Sequence, residues 1–181
     1  MLFRSLSGST VRFIDAGPIS LTTSGDLTTR NGAVLDLANG DTGDLLRIGG
    51  NYSSDGTTVL MDAFLTGVAA NTTSDRIEIL GRATGTRPDY VWIDNLNTNA
   101  ATGLESIKII SVAGESTSKF LLQRRVVSGG YEYLLNKHVD DGSWYLESIS
   151  LSGTPGAPGQ PGAPGAPGAP GAPGAPGQPG A

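Results

Sequence analysis

Short runs in which hydrophobic and polar residues alternate recur along the first 152 residues of the chain. The run DRIEILG shows the pattern, because Ile77 and Ile79 alternate with Arg76, Glu78 and Leu80. Successive side chains of a β-strand point to opposite faces, so a period of two places the isoleucines inward and the other three residues outward. The pattern predicts a half-buried strand.

Seven runs of this kind, rich in β-branched and aromatic residues, predict strands. They are Thr57–Leu65, Asp75–Gly81, Tyr90–Leu96, Ser106–Val112, Lys119–Val127, Tyr131–Lys137 and Ser143–Leu151. In Ser106–Val112 the alternation predicts that Ile107 and Ile109 face inward and that Ile110 faces outward. No stretch of about ten residues or more has helical periodicity with caps, so the chain is predicted to be all-β.

Dipeptides that favour a positive φ separate the runs at nearly regular intervals. They are Asn31-Gly32, Asn39-Gly40, Asp55-Gly56, Gly129-Gly130 and Asp141-Gly142. Short apolar runs between polar, glycine-rich corners favour the stacked coils of a parallel β-helix, although a β-sandwich has similar runs. After about Lys119 the tight turns predict antiparallel hairpins, and aromatic residues concentrate there. Because a stack needs an atypical last unit over its open end, this segment is predicted to be a cap.

The last 29 residues, Gly153–Ala181, have glycine at every third position and contain nine of the eleven prolines. They carry no charge and no side chain that could build a core. The period permits a collagen triple helix, but the few, uncharged triplets favour a monomeric, polyproline-like spacer. The predicted division is residues 1–44 as β-helix coils, 45–152 as the C-terminal coils with the cap, and 153–181 as a linker.

The composition limits the function classes that the chain can serve. The formal net charge of −5 offers no basic stripe for nucleic acid, and we interpret the one basic doublet, Arg124-Arg125, as a solvated strand end. The absence of cysteine excludes disulfides and zinc–thiolate sites. No apolar run approaches about 18 residues, the length that would span a membrane as a helix. The first ten residues have no apolar segment of a signal peptide, so we interpret the chain as a fragment that starts within a longer protein.

No constellation of residues predicts catalysis, and no catalytic, cofactor-binding or metal-binding residue is assigned. The single histidine, His138, lies beside a turn with no nucleophile motif near it. Asp140 and Asp141 are adjacent and precede a glycine, which favours a turn over a catalytic carboxylate pair. Tyr131, Tyr133, Trp144 and Tyr145 are predicted to pack inside the cap rather than to form a ligand surface.

Four segments together resemble the passenger domains of pertactin-like, AIDA-type autotransporters of type V secretion. LLRIGGNYSSDGTTVLMDAFL at Leu45–Leu65 and SDRIEILGRATGT at Ser74–Thr86 match consensus elements of the family. Tyr90–Leu122 and Val126–Ser148 resemble the elements that follow, in the same order and at the same spacing. The resemblance covers the C-terminal, autochaperone region of the passenger. The positions that carry the family motif are Gly50, Asn51, Tyr52, Asp75, Arg76, Gly81, Gly85, Phe120, Gly130, Tyr131, Tyr133, Leu135, Trp144, Tyr145 and Leu146.

The resemblance implies a right-handed, single-stranded parallel β-helix with a hairpin-rich, aromatic cap. It also implies a non-enzymatic segment at the bacterial cell surface, which nucleates folding and joins a passenger, expected to be an adhesin, to a downstream outer-membrane β-barrel. The chain itself is expected to be monomeric, without a cofactor and without nucleic acid as a partner. Two alternatives remain, a trimeric adhesin with a collagen stalk and, less favoured, a β-helix enzyme that degrades polysaccharides.

Overall fold

The structure is a computed structural model that describes residues 5–15 and 17–151. Every regular element in this part of the chain is a β-strand. The strands are β1 (Ser5–Ser7), β2 (Thr10–Arg12), β3 (Ser20–Thr23), β4 (Leu27–Arg30), β5 (Val34–Asp36), β6 (Leu45–Ile48), β7 (Tyr52–Ser54), β8 (Thr58–Phe64), β9 (Thr73–Ser74), β10 (Arg76–Ile79), β11 (Ala83–Gly85), β12 (Asp89–Asn95), β13 (Ser106–Val112), β14 (Phe120–Leu122), β15 (Val126–Ser128), β16 (Tyr131–Lys137) and β17 (Trp144–Ser150). The predicted all-β class is confirmed.

The strands form three sheets whose order shows a parallel β-helix rather than a sandwich. Sheet A has the order β1-β4-β7-β11, sheet B β2-β5-β8-β12-β14, and sheet C β3-β6-β10-β13-β17-β16-β15. The sixth strand of sheet B, β9, pairs with β8 in the antiparallel direction. Coil 1 therefore comprises β1–β3, coil 2 β4–β6, coil 3 β7–β10 and coil 4 β11–β13. Neighbouring coils pair in parallel, as Leu46 with Ile77 and Ile77 with Ile110 in sheet C.

The hydrophobic core fills the inside of the coils, because each strand turns alternate residues inward. In sheet C, Ile48 pairs with Ile79, and Ile79 pairs with Val112, so that one inward position is occupied coil after coil by a β-branched side chain. All three are at least 96% buried. Each such side chain contributes about 1.5–3 kcal/mol relative to an exposed position. A single coil cannot bury its own inner face, so the stack is stable only as a whole.

The antiparallel cap predicted after about Lys119 is confirmed for β15–β17 (Val126–Ser150), which lie at the end of sheet C. It begins later than predicted, because β14 still pairs in parallel with β12. Its last strand, β17, pairs with β13 of coil 4 in the antiparallel direction. Asp141 and Gly142 lie in the turn that joins β16 to β17, and Gly142 has a φ of 66°. The cap thus replaces the parallel strand that a further coil would add to this sheet.

Two details of the strand predictions were wrong. Lys119–Val127 is not one strand, because Phe120–Leu122 pairs in sheet B and Val126–Ser128 pairs in sheet C, with a corner between them. Ile110 does not face outward, since Ile109 and Ile110 are 1% and 0% exposed. The pairing of β13 with β17 shifts register between Lys108 and Ile110, and this bulge resets the alternation.

The predicted domain division stays a prediction. The boundary at residues 44 and 45 precedes β6, within coil 2. The predicted linker, residues 153–181, lies outside the described residues.

Candidate functional site at the cap and the coil corners

Phe120 is the centre of an aromatic cluster that joins the coils to the cap. Its ring stacks on Tyr52 at a centroid distance of 6.2 Å and meets the edge of Trp144 at 5.5 Å. Tyr52 belongs to coil 3, Phe120 to the strand after coil 4, and Trp144 to the cap. All three side chains are at least 93% buried. Three motif positions far apart in sequence therefore pack together, as core packing and not as a ligand surface.

The Tyr52 hydroxyl also belongs to a network of hydrogen bonds enclosed in the core. Its hydroxyl donates to Asp89 Oδ2 at 3.0 Å, and Asp89 Oδ1 accepts the backbone N–H of Thr57 at 2.7 Å. The Thr57 hydroxyl donates to Thr29 at 2.6 Å. Burial raises the pKa of Asp89 and, with the nearby Asp89 carboxyl, that of Tyr52. A buried polar group is costly without partners, so this network fixes the relative position of coils 2, 3 and 4.

Tyr133 ties the cap to the loop that precedes β13. Its hydroxyl donates to Glu105 Oε1 at 2.5 Å, and the Thr72 hydroxyl donates to Glu105 Oε2 at 2.5 Å. The backbone N–H of Glu105 donates to Ser148 Oγ at 2.8 Å. Burial, reinforced by Glu105, raises the pKa of Tyr133. Glu105 is only 6% exposed, so it is a joint between cap and coils rather than a surface charge.

The glycines at the corner after sheet C are required by the close approach of successive coils. Gly81 N–H donates to Gly50 O at 2.9 Å, and Gly114 N–H donates to Gly81 O at 2.9 Å. A Cβ on Gly81 would lie 2.7 Å from the carbonyl carbon and oxygen of Gly50. Real Cβ atoms do not approach backbone so closely, so a side chain here would push neighbouring coils apart.

Asp75 joins neighbouring segments at the corner before sheet C through its buried carboxyl group. Its Oδ1 accepts the backbone N–H groups of Gly43 and Asp44 at 3.1 and 3.0 Å, and its Oδ2 accepts that of Asp62 at 2.7 Å. Burial raises the pKa of Asp75 to about 7, against the effect of the hydrogen bonds from Asp62 and Asp44. The carboxyl groups of Asp44 and Asp62 raise it further. Asp75 therefore satisfies two N–H groups at the corner before β6 and one within β8, at an electrostatic cost.

The remaining motif positions are divided between the corners, the cap and the surface. At a corner, Asn51 accepts the backbone N–H of Arg82 at 2.9 Å. In the cap, Leu146 is fully buried, and Leu135 and Tyr131 are half-buried against the core. Gly130 accepts the N–H of Leu151 at 2.7 Å. Arg76, Gly85 and Gly130 are exposed, and Tyr145 is half-buried. The structure therefore does not bring all fifteen motif positions into one site.

The outer face of the cap carries a charged cluster around Tyr145. The His138 ring stacks on Tyr145 at 3.9 Å, and its Nε2 lies 2.9 Å from Glu147 Oε1. Asp141 accepts from Lys108 Nζ at 2.6 Å and from the Tyr145 hydroxyl at 2.9 Å. The hydrogen bond from Lys108 holds the pKa of Asp141 well below its usual range. A carboxylate that is ionised and fully engaged is suited to fixing a turn, not to proton transfer.

The basic doublet does not form a patch for phosphates. The Arg124 guanidinium lies 3.9 Å above the Trp92 ring and 2.6 Å from Asp94 Oδ1. Arg125 forms two hydrogen bonds with Glu132, at 2.7 and 3.1 Å. Each arginine is thus neutralised by its own carboxylate.

Sequence reasoning missed Asp89, Glu105 and Gly114, which are as central to these contacts as the motif residues. Gly114 had a signal, because it follows a hydrophobic run one coil after Gly81, as Gly81 follows one after Gly50. Asp89 and Glu105 had none, since an aspartate or glutamate beside a turn is most often exposed.

Two further observations concern the described residues, 5–15 and 17–151. No three His, Asp or Glu side chains among them are grouped so that they could hold a metal ion. No helix in the same part of the chain is long and apolar enough to cross a membrane.

Comparison with known proteins shows what this chain is similar to. The family model Autochaperone Domain Type 1 matches residues 25–135. The uncharacterized protein YuaQ of Escherichia coli K12 is 32% identical over 128 residues, which are 69% of this chain and 9% of that protein. The autotransporter adhesin AIDA-I of Escherichia coli is 32% identical over 110 residues, 59% of this chain and 8% of that protein. The probable autotransporter YfaL of Escherichia coli K12 is 33% identical over 137 residues, 71% of this chain and 10% of that protein. The chain thus spans about a tenth of the length of these relatives.

Proposed function

This chain belongs to the Autochaperone Domain Type 1 family, and we propose that its cap and coil 4 fold first and then template the earlier coils. The observation that carries the proposal is the difference in pairing between cap and coils. Strands β16 and β17 pair across a tight turn, where Lys137 meets Trp144. Every parallel pair joins residues a full coil apart, such as Ile77 and Ile110. In coil 3, β8 and β9 also pair locally, but over two residue pairs only, whereas β16 and β17 pair over seven. Closing a long loop costs entropy before its contacts form, so the cap hairpin is the extended element that can form first.

The corner hydrogen bonds support the direction from the C-terminus to the N-terminus. Asp75 accepts backbone N–H groups of coil 2, and Asp89 accepts one of coil 3. The Ser148 side chain in the cap accepts the backbone N–H of Glu105, the residue directly before β13. At these corners the later segment supplies a side-chain acceptor to the backbone that precedes it. The corners of Asp26 and Asn51 have the opposite sense, because Asp26 accepts the N–H of Asn51 and Asn51 accepts the N–H of Arg82.

The order of folding is tested with a matched pair of leucines in the full chain. Leu146 lies in the cap and Leu35 in coil 2, and both are almost fully buried, at 0% and 1% exposed. Replacing either by alanine should lower the free energy of unfolding by about 2–5 kcal/mol. Leu146→Ala should slow folding, whereas Leu35→Ala should mainly accelerate unfolding. Stopped-flow denaturant jumps measure both rates, and a folding rate that falls more with Leu35→Ala would contradict the proposal.

We further propose that the segment is non-enzymatic and belongs to a cell-surface autotransporter, in which it joins the passenger to an outer-membrane barrel. The autotransporter names of two relatives support this, and the name of AIDA-I supports an adhesin as the parent. In the full-length parent, Tyr133→Ala or Trp144→Ala should reduce the amount of folded passenger at the surface. Protease accessibility on intact cells measures it, and unchanged display would refute the assignment.

We also keep the proposal that the chain is a monomer whose tail is a spacer. Sedimentation equilibrium of the full chain should give the mass of one chain. A mass three times larger, together with the circular-dichroism signature of a triple helix, would favour the collagen-stalked trimer instead.

A further inference from the structure

An open cavity of about 560 Å³ lies on the outer face of sheet B. Its lining includes Arg12, Ile14, Asp36, Leu60, Trp92 and Asp94. The register of the sheet explains why they meet, because Arg12 pairs with Asp36, Asp36 with Leu60, and Leu60 with Trp92. One outward position in four successive coils therefore makes a groove along the axis of the stack. Its volume is in the range of small-ligand sites.

Trp92 gives the groove an aromatic wall that is held in place. The Arg124 guanidinium covers one face of the ring at 3.9 Å and is anchored to Asp94 at 2.6 Å. Trp92 lines the cavity, and the guanidinium that holds its ring belongs to a residue outside the lining. A ring fixed in this way loses little conformational entropy when a ligand stacks on it.

Asp36 supplies an unsatisfied acceptor at the groove. It is only 3% exposed, and its Oδ2 accepts from Arg12 Nε at 2.5 Å. Its Oδ1 is buried and has no hydrogen-bond partner within residues 5–15 and 17–151. Buried carboxylate oxygens are nearly always hydrogen-bonded, so this atom needs an explanation. Arg12, whose side chain is 63% exposed, lies over the carboxylate and has further N–H donors for a ligand.

The charges of the groove cancel, which decides the kind of ligand. Arg12 pairs with Asp36, and Asp94 pairs with Arg124. A strongly charged ligand would meet no excess of opposite charge. An aromatic face beside a carboxylate acceptor and a guanidinium donor suits a molecule with one apolar face and a rim of hydroxyl groups.

We propose that this groove binds a neutral hexopyranose unit of a glycan, with the sugar stacked on Trp92 and one hydroxyl group bonded to Arg12. A second hydroxyl group bonds to Asp36 Oδ1 after the side chains that cover this oxygen move aside. The groove lies on coils 1 to 4 and shares no residue with the cap contacts. The proposal therefore goes beyond the folding role and does not depend on it.

The test is a titration of the full chain with the neutral sugars cellobiose, maltose and lactose, with glucuronic acid and glucosamine as charged probes. Tryptophan emission should respond saturably to at least one neutral sugar and not to the charged probes. Trp92→Leu keeps an apolar cover on the sheet but removes the flat face, so it should weaken binding roughly tenfold or more. Tyr90→Leu is the matched control, because Tyr90 is an exposed aromatic on the same strand outside the groove, and it should bind as the wild type does.

Because Trp92→Leu lacks the tryptophan at the groove, saturation-transfer NMR measures sugar binding in this variant. A thermal melt checks that each variant is folded. If Trp92→Leu does not fold, Asp36→Asn decides, and several-fold weaker binding is expected because the carboxylate acceptor is lost. No saturable response to any neutral sugar overturns the proposal. Equal weakening in Trp92→Leu and Tyr90→Leu, or a response to the charged probes alone, overturns it too.

Discussion

The hydrogen bond between Tyr133 and Glu105 is the contact whose loss should most directly weaken the attachment of the cap. Tyr133→Phe removes one buried hydroxyl and leaves the ring, and so the packing, in place. The hydroxyl donates at 2.5 Å to a carboxylate that is 6% exposed. A hydrogen bond to a charged group contributes about 1.5–3 kcal/mol, so we expect the free energy of unfolding to fall by about 2 kcal/mol.

For a domain of this size that loss corresponds to a fall in Tm of about 4–8 °C. Urea titration measures the free energy of unfolding, with the fluorescence of Trp144 as the signal, since Trp144 is buried in the cap at 7% exposure. Tyr131→Phe is the matched control on the same strand, since Tyr131 is half-buried. Its substitution should change the free energy by less than about 0.5 kcal/mol.

A double-mutant cycle with Glu105→Gln isolates the pair. The coupling energy between the two positions should be about 1–3 kcal/mol. A coupling near zero, or equal losses for Tyr133→Phe and Tyr131→Phe, would show that Tyr133 acts through packing alone.

Three further predictions concern the coils. Gly81→Ala should lower the free energy of unfolding by about 1–3 kcal/mol, because its Cβ would overlap Gly50. Gly25→Ala is the control and should be nearly neutral in the same urea titration, because its Cβ meets nothing within 4 Å. Because the pKa of Asp75 is raised to about 7, the folded state holds a proton there that the unfolded chain releases near its ordinary value. The free energy of unfolding should therefore fall by about 2 kcal/mol as the pH rises from about 4.5 to 7. Thermal melts of Asp75→Asn should lack this pH dependence. An identical dependence of stability on pH in both proteins would refute the prediction. Phe120→Ala should cost about 3–5 kcal/mol and shift the emission of Trp144 to longer wavelength, since it empties the centre of the aromatic cluster; an unshifted spectrum would count against the ring contact.

Residues that repeat with the coil could be predicted from the sequence. The period-two runs gave Ile77 and Ile79 as buried and Arg76 and Leu80 as exposed, which the structure confirms. The turn dipeptides indicated the reversal at Asp141-Gly142, and therefore the antiparallel cap. These features depend on residues close in sequence, whose preferences act before any tertiary contact forms.

Contacts that depend on register between coils could not be predicted. Ile110 is buried because a bulge opposite β17 shifts the pairing, and nothing within Ser106–Val112 encodes that shift. The groove at Trp92 exists because Arg12, Asp36 and Leu60 reach the same outward position from three other coils.

The sequence by itself therefore determined the all-β class of this protein, most of its longer strands and the place of its cap, because alternation and turn chemistry are local properties of the chain. Only the tertiary structure decided that Asp89, Glu105 and Asp75 are buried acceptors and that Asp36 and Trp92 share a groove. The physical reason is that a parallel β-helix pairs residues a full coil apart, and the exact length of each corner sets which residues meet.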